Sequence, residues 1–272
     1  MNPLLTLQDV TYTYPDQKTP ILESLNFELH TGQRIGLIGP NGQGKTTLLH
    51  LCLGLLRPDR GAMSCRGAEV VSRSQLQELR HTIGLVFQSP EDQLFCPTVL
   101  EDVAFGPLNQ GLSIEQARDQ ASQTLDLVGL HGFEDRITHK LSGGEKKLLS
   151  LATVLAMHPD ALLLDEPTTG LDPETRNHLI ALLNNLEQTL LIVSHDWDFL
   201  HQTTNRLVTL DNGRIQYLDH EVLHQHVHVH SSGDVPHEHS NRNHVTVPLE
   251  IAAKSPKTTK AAHHAPHRPE NN

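Results

Sequence analysis

Residues 39–46 read Gly39-Pro40-Asn41-Gly42-Gln43-Gly44-Lys45-Thr46, the spacing G-x-x-x-x-G-K-T. Glycines let backbone N–H groups converge on phosphate oxygens, and a helix starting behind them adds positive potential. Lys45 is then placed to reach β- and γ-phosphates, and the Thr46 hydroxyl to face Mg²⁺. A nucleotide site is therefore expected over Gly39, Pro40, Asn41, Gly42, Gln43, Gly44, Lys45, Thr46 and Thr47. A glycine-rich turn can match by chance. This one follows an apolar strand and opens a helix, which is the context the chemistry needs.

Two further strand ends carry polar chemistry. The run Leu162-Leu163-Leu164 stops at Asp165-Glu166. A carboxylate at Asp165 suits Mg²⁺, and Glu166 suits a general base that polarises an attacking water. On their own they are also two acids that start a loop. His195 ends the apolar run Leu191-Ile192-Val193 through Ser194. Parallel strands place their carboxyl ends together, so His195 can reach the same phosphate region.

The segment Leu141-Ser142-Gly143-Gly144-Glu145-Lys146-Lys147 precedes an apolar stretch over residues 148–157. Ser142 with Glu145 forms a capping box, which accounts for both residues. It does not account for Gly143 and Gly144, since glycine weakens a helix. A bare helix start with a serine hydroxyl is an anion site.

The elements that must hold these groups follow from periodicity. Residues 4–14 alternate apolar and polar as an exposed edge strand would, and residues 21–29 alternate again. Residues 34–39 form a buried strand, and a helix runs over 45–56, stopped by Pro58 and Gly61. Residues 82–88 form another strand. A capped amphipathic helix covers 113–130, with Ser113 and Gln116 at its start and Ile114, Ala117, Ala121, Leu125 and Val128 on one face. The runs 161–164 and 190–193 suit parallel strands buried on both faces. Between them lies a helix over 173–186, capped by Asp172 with Pro173 first. A hairpin turns at Asp211-Asn212-Gly213. Strands alternating with helices predict a mostly parallel α/β sheet.

From His220 this pattern stops, and a disordered tail is expected over 220–272. Eleven of the 20 histidines lie there. His224, His226, His228 and His230 alternate, and His237 and His239 follow. Alternate residues of an extended chain share a side, and imidazole suits nickel, cobalt, copper or zinc. The tail holds five acids and five Lys/Arg, so residues 1–219 carry the whole net charge of -11. An acidic body argues against nucleic acid as a partner. No stretch is apolar and long enough to cross a membrane, and no secretory leader is evident. Three widely spaced cysteines, Cys52, Cys65 and Cys96, suggest a reducing compartment.

Across residues 4–218 the chain resembles the ABC ATPase family. The phosphate loop, the Leu-Ser-Gly-Gly signature, the Asp-Glu strand end and the histidine occur in the family's order. The resemblance implies a P-loop ABC-type domain over residues 1–219, with a mixed core sheet, a small antiparallel sheet and a helical signature subdomain. It implies ATP and Mg²⁺ as cofactors, with Thr46, Gln88 and Asp165 around the metal. It casts Gln88 as the glutamine that senses Mg²⁺ and couples to a membrane partner. Tyr14 becomes the aromatic that stacks on adenine, and Asp172 a residue that communicates across a dimer. Ser142, Gly143 and Gly144 become the group that closes on a second chain's ATP, so two ATPase chains are required.

Residues 87–95 (FQSPEDQLF) and 98–107 (TVLEDVAFGP) are similar to ATPases of energy-coupling-factor importers, especially the cobalt and nickel branch. Membrane partners would then be a coupling protein and a metal-specific component, with the ATPase peripheral on the cytoplasmic face. A vitamin importer of the same type is the first alternative, followed by a non-transport ABC ATPase and a histidine-rich metal-storage protein. The chain departs from the family pattern at Glu145, where Gln is usual, and at Leu148, where a basic residue is frequent.

Overall fold

The computed structural model describes residues 3–218, and the predicted histidine tail lies outside them. Strands β1 (Leu5–Tyr12) and β2 (Leu22–Leu29) pair antiparallel. They bury Leu5, Leu7, Val10, Leu22, Leu25, Phe27 and Leu29 on one face. The expected edge position of the first strand is not what forms. β1 lies between β2 and the later strand β4 (Arg60–Cys65), with β5 (Ala68–Glu69) beyond it. Alternation reports that one face is buried. It says nothing of what pairs along the strand's sides.

β3 (Arg34–Ile38) leads through the phosphate loop into α1 (Lys45–Cys52). The helix ends earlier than residue 56, because the chain turns at Gly54 with φ +60°. After β5 come α2 (Arg73–Thr82) and β6 (Ile83–Val86), then α3 (Val99–Asn109), α4 (Ile114–Leu127) and α5 (Gly143–Leu155). The predicted capping box of α4 forms, with the Gln116 N–H donating to Ser113 Oγ at 3.2 Å. Ala117, Ala121, Leu125 and Val128 are buried as expected, whereas Ile114 is exposed. It stands in the first turn, where the helix has not yet reached its packing partners.

The chain closes with β7 (Ala161–Asp165), α6 (Pro173–Asn185), β8 (Thr189–Val193), α7 (Trp197–Thr203), β9 (Arg206–Asp211) and β10 (Arg214–Leu218). These strands join a second sheet in the order β10-β9-β3-β8-β7-β6. All its pairs are parallel except the β9–β10 hairpin. Alternate residues of β7 and β8 enter different cores. Leu162, Leu164, Leu190 and Ile192 pack with α3, α4 and α5. Ala161, Leu163, Leu191 and Val193 pack with α1 and the antiparallel sheet. Burial on both faces explains why these strands are wholly apolar. In register, the carboxyl ends of β3, β7 and β8 stand side by side. That edge receives the phosphate loop, Glu166 and His195.

Candidate active site

The phosphate loop turns on three left-handed glycines, Gly39, Gly42 and Gly44, at φ 148°, 80° and 95°. Side chains would strain at such angles. Lys45 begins α1 and is buried. Its Nζ donates to the carbonyls of Gly39 at 2.7 Å and Pro40 at 3.0 Å, which holds the ammonium against the loop. Burial pushes its pKa down, and the Glu166 and Asp165 carboxylates oppose that shift. The Gln43 side chain faces the β9–β10 turn and accepts the Asn212 N–H at 3.0 Å.

Asp165 is the last residue of β7, and its Oδ2 accepts the Thr46 hydroxyl at 2.8 Å. Burial raises the Asp165 carboxyl pKa, and the Thr46 hydrogen bond opposes the rise. A desolvated carboxylate touching a hydroxyl is an all-oxygen donor pair, the chemistry a hard cation such as Mg²⁺ takes. These residues therefore fit the metal. Gln88 lies just past β6 on the same edge and is exposed.

Glu166 follows at once and holds φ 45°, an uncommon angle for a residue with a side chain. It is 9% exposed. Its Oε2 accepts the His195 N–H at 3.3 Å. Its Oε1 is buried without a hydrogen bond and lies 3.3 Å from His195 Nε2. That ring nitrogen is also 3.0 Å from Asn41 Oδ1. The structure thus brings Asn41, Glu166 and His195 together from three separate stretches of chain. A buried carboxylate oxygen with no hydrogen bond is able to accept a proton from water.

Ser142 caps α5, accepting the Glu145 N–H at 3.3 Å, while Glu145 Oε2 accepts the Ser142 N–H at 2.7 Å. The two glycines behind it differ. A Cβ on Gly144 would lie 3.2 Å from the Thr175 side chain, so α6 packing helps to explain that glycine. A Cβ on Gly143 would meet nothing within 4 Å. Packing therefore gives no reason for glycine at 143.

The family model for the ABC transporter matches residues 22–169. The chain belongs to the ABC transporter ATP-binding family. A putative ABC transporter ATP-binding protein of Nitratidesulfovibrio vulgaris is 54% identical over 89% of this chain and 88% of its own length. The energy-coupling factor transporter ATP-binding protein EcfA of Methanothermobacter thermautotrophicus is 44% identical over 78% of this chain and 69% of its own. Among solved structures, cbiO1 of Clostridium perfringens is described as part of the ABC transporter complex cbiONQ. It superposes with a TM-score of 0.71 at 34% identity, covering 79% of this chain and 88% of that one. The protein is thus an ATP-hydrolysing component of an ABC transporter, and such components work as dimers with membrane subunits.

In this ABC ATPase the remaining predicted residues occupy local roles that the structure makes visible. The Tyr14 hydroxyl lies 2.9 Å from Thr47 Oγ1, and its ring meets Tyr12 edge-on at 5.1 Å. Asp172 caps α6, with Oδ1 accepting the Glu174 and Thr175 N–H groups at 3.0 Å. Two polar residues of the site escaped sequence reasoning. Gln93 accepts the Phe87 N–H at 3.0 Å and donates to the Ser150 carbonyl and Thr153 hydroxyl, each at 2.7 Å, so it fastens segment 87–93 to α5. Lys147 is buried and reaches the carbonyls of Gln88 and Glu166. Spacing did not mark it, since it follows Glu145 and Lys146 just before the apolar stretch 148–157. Leu148, the departure from the family pattern, is itself buried in the helical core.

Proposed function

We propose that this ATPase powers import of cobalt or nickel ions as the peripheral subunit of an energy-coupling-factor complex, on the cytoplasmic face of the membrane. The single observation that carries its chemistry is the meeting of Asn41, Glu166 and His195 beside the phosphate loop. Substrate choice rests on residues 87–107, which resemble the cobalt and nickel branch, and on the histidine-rich segment from His220. The likeness to EcfA and cbiO1 supports the importer type.

In this reading the loop N–H groups and Lys45 bind the β- and γ-phosphates, and Tyr14 stacks on adenine. Thr46, Asp165 and Gln88 hold Mg²⁺, which when bound neutralises phosphate charge. Glu166 Oε1 takes the proton of the attacking water, a step worth about 10²–10⁴ in rate. His195, lying between Glu166 and Asn41, holds the base against the loop. Ser142, Gly143 and Gly144 close on the phosphates held by a second copy or close paralogue, and Asp172 faces across that junction.

Phe95 and Phe105, both in the segments similar to the importer ATPases, are exposed with ring centroids 4.8 Å apart. No helix among the described residues is long and apolar enough to cross a membrane. Among those residues no three His, Cys, Asp or Glu side chains gather as a metal site either. The test is ATP-driven uptake by the complete complex in sealed vesicles. Cobalt or nickel uptake that stops in Glu166→Gln supports the proposal. Uptake of a vitamin without either metal supports the alternative.

A further inference from the structure

Lys147 stands out among the buried charged groups, because the hydrolytic reading gives it no task. It sits on α5 among Leu148, Leu149 and Leu151, with 9% of its surface exposed. Burying an ammonium is costly unless its donors are satisfied. Here they are met by main chain. Nζ donates to the Gln88 carbonyl at 2.5 Å and to the Glu166 carbonyl at 3.2 Å. The charged groups around it are Asp165, Glu166 and Glu91.

The second carbonyl belongs to the residue with the unusual backbone. Glu166 holds φ 45°, a conformation that persists only where its surroundings enforce it. Its N–H donates to the Val193 carbonyl at 2.9 Å, so β8 fixes the peptide on one side of the residue. Lys147 grips the other side. The same ammonium holds Gln88, on the segment that Gln93 fastens to α5.

We propose that Lys147 is a positioning residue for hydrolysis: it clamps the Glu166 and Gln88 carbonyls together, so that the carboxylate keeps its aim while the Gln88 segment stays in register with it. The clamp rides on the helix whose first turn is Ser142 to Glu145. A shift of that helix therefore reaches the base through one side chain. This inference rests on Glu166 acting as the base.

The test is steady-state ATP hydrolysis by full-length Lys147→Met, which keeps the apolar stem and removes the ammonium. We expect kcat to fall about tenfold or more, with KM for ATP changed less than about twofold, the pattern of a lost transition-state interaction. In a Glu166→Gln background the same change should cost several-fold less than in the parent, because the carboxylate whose aim it keeps is gone. Wild-type kcat in Lys147→Met overturns the proposal, as does an equal tenfold loss in both backgrounds. A Glu166→Gln variant that hydrolyses normally would instead remove the base assignment. Should Lys147→Met fail to fold, Lys147→Leu, which likewise removes the donor, is put through the same pair of backgrounds with the same two outcomes.

Discussion

The phosphate loop and the signature segment are both glycine-rich helix starts, yet they are wired in opposite ways. Side chains of the loop region reach far along the chain. Thr46 bonds Asp165, Asn41 meets His195, and Gln43 holds Asn212, across 119, 154 and 169 residues. At the signature, Ser142 and Glu145 bond each other across three residues. The loop half thus exists only once the parallel sheet has assembled. The signature half is a local helix cap that stays exposed. That contrast fits the proposal that a second chain closes the site.

The contrast is sharpest at the finished half. Glu166→Gln should lower turnover by about 10² or more, since a general base is worth that much. ATP binding should persist and the ATP-bound dimer should live longer. Single-turnover hydrolysis with a parallel binding titration checks both. Near-normal turnover would take Glu166 out of the base role.

The next change separates the halves. Ser142→Arg should abolish the ATP-bound dimer in light scattering while one chain still binds nucleotide. Lys45→Ala should instead weaken nucleotide binding itself, because a charge-assisted contact to phosphate is lost. If Ser142→Arg also lost nucleotide binding by the single chain, the division into a binding half and a closing half would not stand.

A smaller effect is expected at Tyr14. Removing the ring in Tyr14→Ala should cost about 1 kcal/mol of ATP affinity, roughly fivefold, for lost stacking. Tyr14→Phe, which loses only the contact with Thr47, should retain most of that affinity. Calorimetry of the two variants decides between stacking and a tie to α1.

The smallest effect belongs to Asp172, which is a local cap like Ser142. Hydrogen bonds from the Thr175 hydroxyl and backbone hold its carboxyl pKa below the ordinary value. A lowered folded-state pKa stabilises above the unfolded value, and that contribution is lost as pH falls through the folded one. Asp172→Ala should therefore lower the melting temperature at neutral pH, with a gap that narrows as the solution becomes acidic. Asp172→Asn keeps the capping oxygen and should melt close to the parent. If Asp172→Asn nevertheless slows hydrolysis in the dimer, the residue also acts across the junction.

Much of this was legible in the order of residues, because local rules act over a few positions. The four capping boxes at Ser72, Thr98, Ser113 and Ser142 each need only a hydroxyl and an acid or amide three residues on, although only those at Ser113 and Ser142 were expected from the sequence. The phosphate loop, the Asp172 cap and the doubly buried strands follow from spacing and unbroken apolar runs. Tertiary structure alone decided the rest. It placed β1 inside its sheet, because β4, some fifty residues on, pairs along its other side. It turned α1 off at Gly54 and left Ile114 in solvent. It set His195 against Glu166 and Asn41, and Lys147 beneath Gln88 and Glu166. Those contacts join strand ends far apart in the chain, and sequence spacing carries no record of which carbonyl a buried ammonium will find.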